Sequence, residues 1–178
     1  MKKIFFNFVV GLTVVFFCGL AIAAVSYDHE VEDNGVQMFW KVTDSELHIK
    51  IIAETTGWVG VGFNPTEQMK DANYIIGYVK DGEAVVHDHF GHEKWNHRED
   101  TALGGSRDLT VVGGEEKDGR TTLEFSLPLD SGDDYDAVID GQGKTVLLLA
   151  YGGSRDSLRS MHRYRTTLTI RLAEGRRE

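Results

Sequence analysis

The stretch Leu47-His48-Ile49-Lys50-Ile51-Ile52-Ala53 decides the fold class. Its odd positions are apolar and mostly alternate with polar residues. A period of two marks a strand with one face on a core and the other toward water. Leu123-Glu124-Phe125-Ser126-Leu127 and Leu168-Thr169-Ile170-Arg171-Leu172 repeat that period. Residues 74–79 and 146–151 are more continuously apolar, which suits strands covered on both faces. Turn signals separate these runs: Asp33-Asn34-Gly35, Asp81-Gly82, Asp118-Gly119, Ser131-Gly132-Asp133-Asp134 and Asp140-Gly141-Gln142-Gly143. No long stretch carries helical periodicity. The expectation is an all-β protein, an immunoglobulin-like antiparallel β-sandwich of two sheets.

The start of the chain reads differently. Lys2 and Lys3 precede an almost wholly apolar run, residues 4–20, and Ala21-Ile22-Ala23 then offers small residues for cleavage. This is the layout of a secretory signal peptide over residues 1–23. An uncleaved anchor would need a similar apolar length, but the small residues argue for cleavage. A lipid anchor on Cys18 would need a small residue before it, where Phe17 stands. The remaining residues, 24–178, are then expected to form one β-sandwich domain, periplasmic or secreted, with no stable membrane insertion after cleavage.

Cleavage would remove Lys2 and Lys3 from the 19 basic side chains and none of the 28 acidic ones, so the formal charge moves from −9 to −11. So acidic a chain repels nucleic acid and anionic lipid, and suits a basic face on a partner protein. Cleavage would also remove Cys18, the one cysteine. Without it, disulfides, iron–sulfur clusters, thiolate metal sites and cysteine nucleophiles are excluded. Covalent haem attachment, which needs Cys-x-x-Cys-His, is excluded with them.

Catalytic motifs are absent: the sequence holds no nucleophile elbow, no His-Glu-x-x-His and no phosphate-binding glycine loop. Two other patterns stand out. His87-Asp88-His89-Phe90-Gly91-His92-Glu93-Lys94-Trp95-Asn96-His97 packs four histidines into one short segment. His87, His89, His92 and His97 are a candidate Zn²⁺ or Cu²⁺ site, weighed against a solvated strand end. The pentapeptide Gly-Gly-Ser-Arg-Asp occurs at 104–108 and again at 152–156. It reads either as two similar loops or as paired loops at one end of the sandwich presenting Arg107 and Arg155 to an anion.

Met69 stands in the polar loop Asn64-Pro65-Thr66-Glu67-Gln68-Met69-Lys70-Asp71 rather than in an apolar stripe. His162 precedes the last alternating run, and parity counted back from Leu168 points it between the sheets if the strand is unbroken. Each residue alone is ordinary. Together, a thioether and an imidazole are the axial pair that holds haem iron and raises its potential.

The order of segments resembles a known family. Thr56-Gly57-Trp58-Val59-Gly60-Val61-Gly62-Phe63, the Met69 loop and Asp71-Ala72-Asn73-Tyr74-Ile75-Ile76-Gly77-Tyr78-Val79 are similar to the DOMON domain. Thr122-Leu123-Glu124-Phe125-Ser126-Leu127-Pro128-Leu129, Leu149-Ala150-Tyr151-Gly152 and then His162 extend the resemblance over residues 36–172. It implies either a domain binding haem b without a covalent link or a module for a sugar or other small ligand. In the haem-binding branch, which includes the cytochrome domain of cellobiose dehydrogenase, the axial ligands occupy the positions of Met69 and His162. Trp58, Phe63, Tyr74, Ile76, Tyr78 and Tyr151 are the expected lining of a gap between splayed sheets. Arg165, Arg163 and Arg155 are the expected partners of the haem propionates. The implied role is electron carriage rather than catalysis, to a redox partner protein or a membrane electron-transfer complex.

Overall fold

The structure, a computed structural model, describes residues 26–178. The signal-peptide reading of residues 1–23 therefore lies outside the described residues. Twelve strands run in chain order: β1 His29–Asp33, β2 Val36–Val42, β3 Glu46–Ala53, β4 Val59–Phe63, β5 Asn73–Lys80, β6 Glu83–Glu93, β7 Asn96–Glu99, β8 Thr110–Lys117, β9 Arg120–Pro128, β10 Lys144–Tyr151, β11 Tyr164–Arg171 and β12 Arg176–Arg177. A short 3-10 turn, Asp100–Ala102, follows β7. Every strand pairing is antiparallel. No helix among the described residues is long and apolar enough to cross a membrane.

The strands make two sheets, in the orders β1-β2-β3-β9-β8 and β12-β11-β10-β4-β5-β6-β7. The sandwich expected from the alternating runs is the fold. Three tight hairpins sit at the turn signals Asn34-Gly35, Asp81-Gly82 and Asp118-Gly119. Both central residues have positive φ in each (43° and 80°, 54° and 83°, 52° and 76°), the conformation that matches strand twist. The other two turn signals fall inside the β9–β10 connection, which crosses from the five-stranded to the seven-stranded sheet.

The alternation decides what fills the space between the sheets. Met38, Trp40, Leu47, Ile49 and Ile51 come from one side, and Val59, Val61, Phe63, Leu147 and Leu149 from the other. All ten are fully buried. Trp40 in β2 donates its indole N–H to the Leu172 carbonyl beyond β11 at 2.9 Å, so the one polar atom of that large ring is satisfied across the core. At the opposite end, Thr121 Oγ1 bonds the carbonyls of Thr55 and Gly57 at 2.9 and 3.0 Å. These side chains make up the described interior between the sheets.

The two pentapeptide loops lie at opposite ends. Residues 104–108 sit against Asp88 and Asp133, toward the end where β5 begins, with Asp108 N–H on Asp88 Oδ2 at 3.0 Å. Residues 152–156 sit against Thr55 and Trp58, where β4 begins. Arg107 and Arg155 therefore cannot present one anion site together. Arg107 instead donates to the Val86 carbonyl at 3.0 Å.

Packing this tight makes core truncation costly. Leu149→Ala should lose about 2–5 kcal/mol, the range for a buried leucine that leaves a cavity. The expected result in a urea titration is a lower midpoint with an unchanged slope.

Candidate functional site

Strand pairing places a glycine-floored surface on the outer face of the seven-stranded sheet. Directly paired residues share a face, so Thr167, Leu148, Gly62, Tyr74 and His89 form one row across β11, β10, β4, β5 and β6. Arg165, Ala150, Gly60, Ile76 and His87 form the next. The small residues in β4 and β10 lower the middle of this face. Gly62 is required there by close approach: a Cβ would collide with the Tyr74 ring, which lies flat over the strand.

Tyr74 brings a polar group to that face without an outlet. Its hydroxyl is buried and has no hydrogen-bond partner. Burial raises its pKa well above the ordinary 10, partly offset by the nearby charge of Arg165. Arg165 itself is exposed, as are Arg163 and Arg155. Of the three arginines, Arg165 is the one whose charge reaches Tyr74 on this face.

The expected lining residues divide between two faces. Phe63 and Tyr151 belong to the core between the sheets. Tyr151 is buried against Tyr164, ring centroids 5.7 Å apart. Trp58, Tyr74, Ile76 and Tyr78 have the opposite parity and stand outside that core. Trp58 is buried, its indole N–H on Ser160 Oγ at 2.9 Å. The six expected lining residues are thus divided, with Phe63 and Tyr151 in the core between the sheets and the other four outside it.

Met69 and His162 occupy loops at opposite ends of β4. The Met69 loop follows Phe63 and is fastened to the β6–β7 hairpin. Met69 N–H donates to the Lys94 carbonyl at 3.1 Å, Asp71 N–H to the Gly91 carbonyl at 2.7 Å, and Gly91 N–H to the Ala72 carbonyl at 2.9 Å. Gly91 permits this contact, since a Cβ there would strike the Met69 carbonyl. His162 lies outside β11, which begins at Tyr164, so the parity argument that pointed it between the sheets does not extend to it. Its loop is held where β4 begins: Gly152 N–H donates to the Trp58 carbonyl and Arg163 N–H to the Tyr151 carbonyl, each at 2.8 Å. Both candidate ligands are half-buried.

Two of the four histidines, His89 and His97, meet beside Tyr74. His97 lies 5.3 Å from the Tyr74 ring and 4.9 Å from His89, centroid to centroid. His89 Nδ1 and His97 Nδ1 share a hydrogen bond of 2.8 Å. One ring must donate and the other accept, so the two cannot both be cations. His87 is bonded to Glu99 at 2.9 Å, and His92 Nε2 is buried without a partner. The nitrogens a transition metal would need are thus partly engaged with each other.

A third group went unread in the sequence. Asp88, Asp100 and Asp136 come together with one oxygen of each within 4.8 Å of the others, and they are the only such group of three potential donors among the described residues. Acidic residues are so frequent here that spacing alone could not single these out.

The comparisons with known proteins give one family match, two partial relatives and a shared fold. The model of the DOMON domain family matches residues 32–152. MOXD1 homolog 2 of Drosophila melanogaster is 29% identical over 108 residues, which cover 60% of this chain and 14% of that protein. DBH-like monooxygenase protein 1 of Homo sapiens is 27% identical over 100 residues, covering 56% of this chain and 16% of that protein. The chain thus spans less than a fifth of the length of these curated relatives. Among solved structures, the cytochrome b domain of pyranose dehydrogenase from Coprinopsis cinerea superposes with a TM-score of 0.58 at 14% identity, over 79% of this chain and 78% of that one. The cytochrome domain of Myriococcum thermophilum cellobiose dehydrogenase gives 0.55 at 10% identity, over 75% and 73%. At such identities the likeness is one of fold.

The histidine pair carries a pH prediction. Burial first, then the neighbouring His97 and His87, hold His89 at about 4, below the ordinary 6.5, and burial and His92 lower His97 in the same direction. The folded state thus favours the neutral rings. Their contribution to stability is present above pH ~6.5 and lost as pH falls toward 4. The slope is up to about 1.4 kcal/mol per pH unit for each proton, and less where solvent screens the rings. Replacing both His89 and His97 with Gln should flatten urea-melt stability over that interval.

Proposed function

Because this chain belongs to the DOMON domain family, we propose that it is an exported electron carrier that binds haem b non-covalently, with Met69 and His162 as axial ligands. The observation that carries this reading is the pair of loops themselves. A thioether and an imidazole, both half-buried, leave one sheet from the two ends of the glycine-bearing strand β4, and neither is used to fill the core.

The residues between those loops fit the group. The outer face between the loops, where Tyr74 and Ile76 lie against Gly62 and Gly60, is the surface proposed to receive it. Arg165, exposed on that face, would pair with a propionate, and the unpartnered Tyr74 hydroxyl would gain an acceptor. Arg163 and Arg155 are further candidates for the second propionate. The fastened Met69 loop would limit the movement of the thioether between oxidation states, and the Trp58–Ser160 bond would do the same for the His162 loop.

When bound, haem supplies a one-electron ferric/ferrous couple, and Met/His ligation sets that couple at a high potential. Held by both Met69 and His162, the iron would be closed to oxygen and substrate, which favours electron transfer over catalysis. An acidic surface favours a basic docking face on the redox partner or membrane complex. The fold likeness to cytochrome domains of two dehydrogenases supports this reading.

Titration of haem into the purified apoprotein should give a stoichiometric complex that acidified organic solvent strips. His162→Ala should abolish retention. Met69→His should keep the haem and lower the potential by ~60–180 mV, a ten- to thousandfold change in a one-electron equilibrium. Protein that takes up no haem, or a potential indifferent to Met69, would refute the assignment.

A further inference from the structure

We propose that His89, His92 and His97 form a zinc site on the outer face of the β6–β7 hairpin. The inference stands apart from the haem reading, since none of these residues is among the proposed haem ligands.

Parity counted along the chain would keep the three apart. His87 and His89 alternate outward in β6, and an unbroken strand would turn His92 to the inner face with Asp88. The strand is not unbroken. Its pairing with β7 passes from Phe90 opposite Arg98 to Glu93 opposite Asn96, so Gly91 and His92 together stand against the single residue His97. Such a bulge puts one extra residue into one strand and reverses the parity beyond it. Glu93 then shares a face with Asn96, which leaves His92 on the face of His97. His89 is on that face too, because it pairs with Glu99, two residues from His97.

The nitrogens on this face are short of partners. His89 Nδ1 and His97 Nδ1 lie 2.8 Å apart and share a single proton. His92 Nε2 is buried with no hydrogen-bond partner, and His92 is near enough for its charge to act on His97. Buried polar atoms are nearly always paired, so an orphaned imidazole nitrogen beside two others is a place for a ligand. Water would satisfy His92 alone. A metal ion takes all three nitrogens.

Zinc bonds imidazole nitrogen at about 2.0–2.1 Å, which sets two ligands of a tetrahedral ion roughly 3.3 Å apart. The His89–His97 pair needs to open by only about half an ångström to admit the ion in place of the shared proton. The third nitrogen has further to come. The three do not all lie within 4.8 Å of one another, so His92 must turn about its side-chain bonds on binding. His87 stays outside the site, because Glu99 holds its Nδ1 at 2.9 Å. Three neutral imidazoles with a water in the fourth position suit zinc, and an all-nitrogen donor set excludes the oxygen-seeking calcium and magnesium.

The position gives such an ion a structural role. β7 is a four-residue strand at the edge of its sheet, and its pairing with β6 is interrupted by the bulge. The Met69 loop is nonetheless fastened to this hairpin, through Gly91 and Lys94. Zinc would tie β7 to β6 across the bulge and so stiffen the support of that loop.

The test uses the full chain stripped with a chelator, dialysed and free of haem. Zinc chloride should bind one ion per chain by calorimetry and raise the melting temperature. Copper(II) should bind more tightly still, as it does at nitrogen sites in general. His92→Gln should weaken zinc binding at least about tenfold and melt close to zinc-free wild type. Should that variant fail to fold, His97→Gln carries the same expectation. His48→Gln, which removes a histidine of the other sheet, should bind zinc as wild type does. Wild type that takes up no zinc overturns the proposal. So does a His92→Gln variant that binds as tightly as wild type, and so does equal weakening in His48→Gln, the mark of scattered binding to surface histidines.

Discussion

Strand β4 is buried along its whole length, and much of the molecule follows from that constraint. Val59, Val61 and Phe63 point into the core and are fully buried. Gly60 and Gly62 point the other way and are buried as well, because neighbouring side chains on β5 lie over them. A strand covered on both faces must sit in the middle of its sheet, and β4 has β10 on one side and β5 on the other. Its two ends then launch the two loops that matter most: the Met69 loop from one and, through the Trp58 contacts, the His162 loop from the other.

Strand β6 shows how a period of two separates chemistries that are adjacent in sequence. In His87-Asp88-His89, the histidines face outward beside Ile76 and Tyr74, while Asp88 turns inward toward Asp100 and Asp136. Three consecutive residues thus serve two unrelated clusters on opposite sides of one sheet. Burial acts on the two in opposite directions. It favours neutral rings on the outer face, lowering His89, and disfavours carboxylates inside, raising Asp88. The outer cluster resolves its charge by losing protons. The inner one resolves it by holding on to them.

The histidine segment was legible as a set of residues but not as an arrangement. Spacing along the chain counts neighbours without regard to face. It could not show that His89 and His97 would bond to each other, nor that Asp88 belonged with residues far along the chain. The expected cofactor gap between the sheets met the same limit. Aromatic residues were legible as candidates, but which of them turn inward depends on where each strand begins. Phe63 and Tyr151 pack in the core, whereas Tyr74 and Ile76 do not.

The sequence by itself determined the all-β class, the strands with clear alternation and the hairpins at Asn34-Gly35, Asp81-Gly82 and Asp118-Gly119, because side-chain period and positive-φ turn residues are local properties. It also singled out Met69, since a methionine among polar loop neighbours is conspicuous without any structure. Only the tertiary structure decided which face carries Gly60, Gly62, Tyr74 and Arg165. It alone brought Asp88, Asp100 and Asp136 to one point and placed the two Gly-Gly-Ser-Arg-Asp loops at opposite ends. Those facts depend on the crossings β3–β4, β7–β8 and β9–β10 between the sheets. Such crossings are set by long-range packing of the two inner faces, which no local pattern encodes.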